Sequence, residues 1–191
     1  MPFLVGEKMK KLGFYEINQD YIDYLRSFDK RILKSDTTGN NKSRKYIGIL
    51  LTVEDKKYLA PLASPKKSDY LPNGTIRKSI IPIIRIVSKN DKGESELKGK
   101  VKLSSMIPVV DMSLVREYKI DFEKDKNYRH VIEKEMDFIS SNKKLILNYA
   151  KILYGQKIKN LDIGYIENVV DFKLLEEKAA EYCTKKLQNK S

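Results

Sequence analysis

Residues 58–67, Tyr-Leu-Ala-Pro-Leu-Ala-Ser-Pro-Lys-Lys, concentrate the side chains that could do chemistry. They place the hydroxyl of Ser64 beside the two cations Lys66 and Lys67. Because Pro65 restricts the preceding residue to extended backbone, we expect Ser64 to be presented from a stiff strand end. A hydroxyl next to cations is suited to binding and reaction of a phosphate. The same tetrapeptide, Ser-Pro-Lys-Lys, is also found as an ordinary solvated turn.

A second basic segment, residues 42–45 (Lys-Ser-Arg-Lys), comes just before the apolar run 46–53. Glu54 and Asp55 form a turn and a second apolar run follows over 57–62, a pattern typical of a β-hairpin. In such a hairpin, residues 42–45 and Ser64 lie at the same open end. We therefore expect the two basic segments to converge on a phosphodiester, unless residues 42–45 are simply a solvated loop.

The overall charge favours a polyanionic partner. The chain has 38 Lys and Arg against 26 Asp and Glu, a net charge of +12, and 41% hydrophobic residues is too many for a disordered tail. A cationic folded protein attracts nucleic acid because bound phosphates release counterions. The alternative is a surface of scattered lysines that binds nothing specific.

Two residue counts exclude most familiar enzyme chemistry. The single Cys183 excludes an internal disulfide and fits a reducing cytoplasm, and its helical spacing predicts a core residue rather than a nucleophile. The single His130 excludes a histidine acid and base pair and is expected on the surface. We predict no metal or other cofactor. No apolar run is long enough to span a bilayer and no signal peptide is apparent, so we expect a cytoplasmic protein without a membrane partner.

The order of elements, strands first and helices later, predicts an α+β fold with an antiparallel sheet. The 191 residues suit one domain, with a strand-rich part over 9–110 and a mainly helical part over 120–188. Besides the hairpin, strands are predicted over 12–17, over 78–87 with Pro82 at an edge or bulge, over 97–103 and over 107–110. Helices are predicted around Ile22, Leu25 and Phe28 behind a cap at Asn18 or Asp20, and along Phe172, Leu175, Ala179 and Cys183. From Asp125 the pattern predicts either one long helix or two packed helices that break near 140–142. Loops are predicted over 35–44, 90–96 and 155–160.

Six blocks of sequence carry a family resemblance. They are residues 9–15 (Met-Lys-Lys-Leu-Gly-Phe-Tyr), 21–29 (Tyr-Ile-Asp-Tyr-Leu-Arg-Ser-Phe-Asp), 46–49 (Tyr-Ile-Gly-Ile), 57–67, 106–108 (Met-Ile-Pro) and 171–178 (Asp-Phe-Lys-Leu-Leu-Glu-Glu-Lys). Together and in this order they resemble the ToxN/AbiQ family, the protein toxins of type III toxin–antitoxin systems. Residues 58–67 are the most specific of the six.

The resemblance implies a metal-independent endoribonuclease whose strongly curved antiparallel sheet is similar to that of Kid/MazF toxins and is flanked by helices. It implies an RNA antitoxin, cut from tandem repeats and held as a pseudoknot in a closed protein–RNA ring, and cellular RNA as the substrate of free toxin. Ser64 and Lys66 match active-site residues of the family, and Arg44 matches a basic position of the same pocket. Three departures are Ala63 in place of a threonine, Asn40 where an aromatic hydroxyl can occur, and an extension over residues 1–8.

RNA can be cut without metal if its own 2′-hydroxyl attacks the adjacent phosphorus, which leaves a 2′,3′-cyclic phosphate. Lys66, Lys67 and Arg44 would then offset the charge that grows on the phosphoryl oxygens, while Ser64 orients the phosphate. Further phosphate contacts are predicted for Lys42, Lys45, Lys67, Lys89, Lys100, Lys102 and Lys144. Two other functions stay open: a basic module that binds nucleic acid without cutting it, and a cationic structural or ribosome-associated protein.

Overall fold

The computed structural model describes residues 13–34 and 46–188. The predicted extension over 1–8, the predicted loop over 35–44 and the basic segment 42–45, which contains Arg44, lie outside the described residues. In the described part of the chain there are four helices and seven strands. The helices are α1 (Gln19–Phe28), α2 (Lys126–Ser141), α3 (Lys143–Ile158) and α4 (Phe172–Gln188), and the strands are β1 (Phe14–Ile17), β2 (Ile47–Val53), β3 (Lys56–Ala63), β4 (Ile84–Lys89), β5 (Ser95–Val101), β6 (Ile107–Pro108) and β7 (Val115–Glu117).

The seven strands form one antiparallel sheet, which confirms the predicted α+β class. The order across the sheet is β4-β5-β3-β2-β1-β7, and the short β6 pairs with β3. Strand β3 pairs with three other strands. Strand β2 pairs with β3 along most of its length, β6 pairs near its start at Tyr58 and Leu59, and β5 pairs at its end at Leu62 and Ala63. Residues that follow β3 are therefore next to the end of β5.

The predicted hairpin is β2 and β3, joined by a two-residue turn. Both turn residues are left-handed, with φ of 47° at Glu54 and 62° at Asp55, and this turn geometry matches the twist of the strands it joins. The turn sets a register in which Val53 pairs with Lys56 and Gly48 pairs with Pro61. Strand β2 therefore begins at the end of the hairpin where β3 stops.

Helices α2, α3 and α4 pack against the sheet or its edges and enclose the apolar core. Helix α2 contacts β4 and β5, helix α3 contacts β2, and α4 contacts β6 and α1. The side chain of Asn18 accepts the backbone N–H of Tyr21 at 3.1 Å and so caps α1, as predicted. Of the two predicted arrangements, the structure has two helices rather than one long helix. They are separated at Asn142, whose side-chain amide donates to the Phe138 carbonyl at 2.8 Å.

Several predicted element boundaries are wrong, and the structure adds one strand. The strand predicted over 78–87 begins only at Ile84, because Ile80–Ile83 form a tight turn in which each terminal N–H donates to the other residue's carbonyl, at 3.0 and 2.9 Å. Pro82 lies inside that turn and, lacking an N–H, cannot extend the ladder. Helix α3 continues through Gly155 to Ile158, into the predicted loop. Strand β7 was not predicted, since Val-Arg-Glu has no alternating apolar pattern.

The surface position predicted for His130 is confirmed, whereas Cys183, predicted as a core residue, is only partly buried. Cys183 is half-buried and packs against the core beside the fully buried face of α4, and burial raises the pKa of its thiol, which disfavours the nucleophilic thiolate. His130 is exposed on α2.

A carboxylate cluster around Glu176 fastens α4 to the start of β3. The hydroxyls of Tyr58 and Tyr154 donate to Glu176 Oε1 at 2.6 and 2.7 Å, and Lys56 pairs with Oε2. Burial acts to raise the pKa of Glu176, but the hydrogen bonds from Lys56, Tyr58 and Tyr154 outweigh it and hold this pKa below its ordinary value. The cluster joins β3, α3 and α4 at the end of β3 that is far from Ser64.

Replacing Glu176 with glutamine is expected to lower the free energy of unfolding at neutral pH by about 1–3 kcal/mol, since two buried hydroxyls lose a charged acceptor. The pKa of Glu176 is lower in the folded protein than in the unfolded one, so Glu176 contributes its full stabilisation above about pH 4.3, the ordinary pKa of a glutamate. This stabilisation is lost as the pH falls through the pKa of Glu176 in the folded protein. The deficit of the variant should therefore shrink in acid. Urea titrations at neutral and acid pH measure it. Glu177→Gln, in the exposed neighbour, is the control and should change stability by less than about 0.5 kcal/mol; an equal loss in both variants would contradict this account.

Candidate active site

Ser64 is the first residue after β3 and carries an unsatisfied hydroxyl. Its Oγ is buried and has no hydrogen-bond partner among the residues that the structure describes. A buried polar group without a partner costs free energy, so its retention needs an explanation such as a ligand. The only other hydroxyl of residues 58–67 is that of Tyr58, which donates to Glu176 at the opposite end of the strand. Ser64 is therefore the hydroxyl that this segment can offer to a ligand at this end.

Two exposed lysines follow Ser64 at a fixed backbone. Lys66 has an extended conformation, with φ of −128° and ψ of 161°, and precedes a single 3₁₀ turn over Lys67–Asp69. The Lys66 N–H donates to Oδ2 of Asp69 at 2.9 Å, and the Asp69 N–H donates to the Lys66 carbonyl at 2.9 Å. This reciprocal pair holds the turn, while the side chains of Lys66 and Lys67 remain exposed to an incoming anion.

Asp69 is itself the centre of a buried ion cluster. Asp69 is 2% exposed, Arg85 of β4 is 7% exposed and Lys100 of β5 is 5% exposed. Nε and Nη2 of Arg85 each lie 3.1 Å from Oδ1, and the Lys100 ammonium pairs with Oδ2. Burial acts to raise the pKa of Asp69, but hydrogen bonds from Lys100 and the Lys66 N–H outweigh it and hold this pKa below its ordinary value.

Lys102 adds a further cation beside this cluster. Its backbone N–H donates to the Pro61 carbonyl at 2.9 Å, which brings the residues after β5 alongside the end of β3. Burial, followed by repulsion from Lys100 and Lys66, lowers the pKa of Lys102. The end of β3 thus carries more positive charge than Asp69 can neutralise, and such a site favours a bound anion.

The structure brings Ser64, Lys66, Lys67 and Lys102 together. Three other lysines that were predicted to contact phosphate are not presented to solvent at this site. Lys100 lies across from Ala63, yet its ammonium is buried on Asp69 rather than presented to solvent, as a phosphate contact would require. Lys89 lies at the far end of the β4–β5 hairpin, five residues or about 16 Å along the strand from Ile84, and donates to Ser95 Oγ at 3.0 Å. Lys144 is exposed in the first turn of α3. Lys42, Arg44 and Lys45 lie outside the described residues.

Sequence reasoning missed Asp69 and Arg85, the residues that support the site. One signal was available: Arg85 interrupts the apolar run 83–87, and a charged residue inside a buried strand usually indicates an ion pair. Asp69, in Lys-Ser-Asp-Tyr, has no comparable signal, because an aspartate in a polar turn is ordinary.

The described residues, 13–34 and 46–188, contain no group of three or more His, Cys, Asp or Glu side chains arranged to hold a metal ion. Over the same ranges, no helix combines the length and the apolar composition that crossing a membrane would need.

Comparison with known proteins identifies the family. Residues 13–180 match the family model described as toxin ToxN of a type III toxin–antitoxin system. The chain belongs to this ToxN family. Among curated relatives, endoribonuclease ToxN of Pectobacterium atrosepticum is 29% identical over 171 residues, which cover 90% of this chain and 94% of the relative. Endoribonuclease AbiQ of Lactococcus lactis subsp. lactis is 28% identical over 174 residues, 91% of each.

Solved structures agree with this membership in the ToxN family. A chain from work on a processed non-coding RNA that regulates a bacterial antiviral system superposes with a TM-score of 0.70 at 26% identity, covering 89% of this chain and 98% of that one. The lactococcal anti-phage endoribonuclease AbiQ superposes with a TM-score of 0.69 at 23% identity, covering 91% and 99%. The second likeness concerns the fold alone.

Proposed function

We propose that this chain is the endoribonuclease toxin of a type III toxin–antitoxin system, active in the cytoplasm without a metal ion. The observation that carries the proposal is the buried hydroxyl of Ser64, which has no hydrogen-bond partner within residues 13–34 and 46–188, beside the exposed cations Lys66 and Lys67. Membership in the ToxN family and two curated relatives named as endoribonucleases support it. The geometry suits a phosphodiester, because the hydroxyl can orient it and the cations can neutralise it.

In the proposed reaction the RNA 2′-hydroxyl oxygen bonds to its own phosphorus and gives its proton to solvent water. The bond from phosphorus to the 5′-oxygen breaks and that oxygen takes up a proton, so that a 2′,3′-cyclic phosphate and a 5′-hydroxyl remain. Ser64 Oγ–H donates to a non-bridging oxygen, and Lys66 and Lys67 offset the negative charge that develops there. Each well-placed donor of this kind lowers the barrier by about 2.7–4 kcal/mol. Lys102, whose pKa is lowered, gives up a proton more readily than an ordinary ammonium, and we propose that it protonates the leaving oxygen.

We propose that Arg44 binds the same phosphate. It precedes Tyr46 by two residues, and the strand that follows begins at the end of the hairpin next to Ser64. A guanidinium there would bind two phosphoryl oxygens at once, which an ammonium cannot do. Lys42, Lys45, Lys89 and Lys144 are proposed as RNA contacts outside the cleavage site, whereas Lys100 is proposed to act through its ion pair.

The proposed partners are an RNA antitoxin and, for free toxin, cellular RNA. Two of the structural neighbours come from work on a regulatory non-coding RNA and on toxin inhibition by a non-coding RNA pseudoknot. A protein of net charge +12 is well matched to such a polyanion. We further propose a pseudoknotted antitoxin in a closed protein–RNA ring, and a sheet curved as in the Kid/MazF toxins.

Purification from its own operon is expected to yield the protein with small RNA bound, and this complex should weaken steeply as salt rises. Each phosphate contact contributes a log–log slope of about −0.7 for single strands. Lys67→Gln should therefore reduce the measured slope by about that amount. Lys185→Gln, at an exposed position in the last turn of α4, matches the charge change and should leave the slope unaltered. Protein free of RNA on a denaturing gel would count against an RNA antitoxin.

A further inference from the structure

We propose that Asp69 is a positioning residue of the phosphate site, and that it fixes the segment carrying Ser64 and Lys66 against β4 and β5. This inference rests on the proposed function, since it names what holds the reacting groups of that same site in place.

The first observation is that the two carboxylate oxygens of Asp69 contact different parts of the fold. Oδ2 accepts the backbone N–H of Lys66 at 2.9 Å and pairs with Lys100 of β5, while Oδ1 receives Nε and Nη2 of Arg85 from β4, each at 3.1 Å. One buried side chain thus connects the backbone of a proposed catalytic lysine to two neighbouring strands. A side chain that acts only as part of an ion pair would not need the contact to Lys66.

The second observation is that no strand ladder holds this region. Between the end of β3 at Ala63 and the start of β4 at Ile84, the backbone forms turns, bends and isolated bridges. The Asp69 carbonyl accepts the N–H of Arg77 at 2.9 Å, and Arg85 Nη1 donates to the Lys78 carbonyl at 2.7 Å. The contacts of Asp69 and Arg85 therefore hold the backbone between β3 and β4 in place, as the hydrogen bonds of a sheet would do.

The third observation is electrostatic. The charged groups that act on Lys102 are Lys100, on its own strand end, and Lys66 and Asp69 from the turn after β3. Burial and the two lysines lower the pKa of Lys102, and the negative charge of Asp69 opposes them. Asp69 therefore helps to keep Lys102 protonated, which is the form that can bind a phosphate.

The test is Asp69→Asn, which preserves shape and an acceptor for Lys66 but removes the charge. We expect RNA cleavage to fall by about 10²-fold, mainly in kcat, because misplacement of a reacting group by about 1 Å has an effect of this size. The alkaline limb of the pH–rate profile should also move to lower pH, because Lys102 loses the negative charge that opposes the lowering of its pKa. Asp69→Glu, which restores the charge, should return the limb to its original position.

Glu176→Gln is the matched control. It also removes a carboxylate that is paired with lysines, Lys56 of β3 and Lys173 of α4, but at the end of β3 far from Ser64. It should therefore lower stability while leaving kcat and the pH profile unchanged. Arg85→Lys is the second variant in case Asp69→Asn does not fold. It keeps the cation but cannot hold both Oδ1 and the Lys78 carbonyl, and a reduced kcat is again expected.

Wild-type kcat and an unshifted alkaline limb in folded Asp69→Asn, or wild-type kcat in Arg85→Lys, would overturn the inference. If neither variant folds, the role of Asp69 is structural only and the inference is equally wrong. Failure of the proposed function gives a different result, since the wild-type protein would then release no RNA fragments and no variant could lower a cleavage rate.

Discussion

Expression of Ser64→Ala or Lys66→Ala is expected to cause no growth arrest, although both variants fold. Each change removes a group assigned to the phosphate, and loss of one such donor lowers the rate by about 10²–10³-fold. Folding should be retained because Ser64 Oγ has no partner among the described residues and Lys66 is exposed. Growth curves after induction measure toxicity, and thermal unfolding of the purified variants measures the fold.

Two nearby variants serve as controls for that experiment. Ser68→Ala removes an exposed hydroxyl from the 3₁₀ turn Lys67–Asp69, which follows Lys66. Lys185→Ala removes an exposed lysine from the end of α4, away from the site. Both should remain fully toxic. Full toxicity of soluble Ser64→Ala and Lys66→Ala would falsify the assignment of the site.

Cleavage is expected to proceed in excess EDTA and to stop when one 2′-deoxy nucleotide replaces the residue at the cut site. The physical reason is that lysines take the place of a metal in offsetting transition-state charge, and the 2′-hydroxyl is the nucleophile. The products should carry 2′,3′-cyclic phosphate and 5′-hydroxyl ends, which end-labelling and mass spectrometry distinguish. The substituted RNA keeps all its phosphates, so it should still bind and compete with intact substrate.

The contrary result is equally specific. If the 2′-deoxy substrate is cut at the same position, or if EDTA abolishes cleavage and magnesium restores it, a metal-dependent hydrolysis replaces the mechanism proposed here. If the protein binds RNA but releases no fragments under any of these conditions, it is a basic binding module rather than a nuclease.

Because residue 63 is an alanine, fewer side chains at the end of β3 can contact the phosphate. Ala63 pairs with Lys100 in the β3–β5 ladder and offers no hydroxyl where the resemblance implies a threonine. Ser64 is then the single hydroxyl of the strand end, so its loss should not be compensated by a neighbour. The large effect expected for Ser64→Ala follows from this arrangement.

Several elements could be predicted from the sequence because their causes are local. Residues 46–62 carry alternating strand and turn signals within one short stretch, and the structure confirms the hairpin. Asn18 precedes a helical apolar pattern, and its short polar side chain satisfies a free backbone N–H of the first turn. The break at Asn142 is equally local. By contrast, Pro82 marked an interruption correctly, but whether it gives a bulge or a turn depends on what packs around it.

The sequence by itself determined the α+β class, the hairpin and the place of Ser64, Lys66 and Lys67 at its end, because strand periodicity and turn residues act over a few neighbours. Only the tertiary structure decided that Lys100 is buried on Asp69 rather than free for RNA, and that Arg85 completes this cluster. Arg85 and Lys100 are 16 and 31 positions from Asp69 in sequence, and the antiparallel pairing of β3, β4 and β5 brings them together. Burial then decides their role, because a charge removed from water must find a partner, and no local pattern shows which partner that will be.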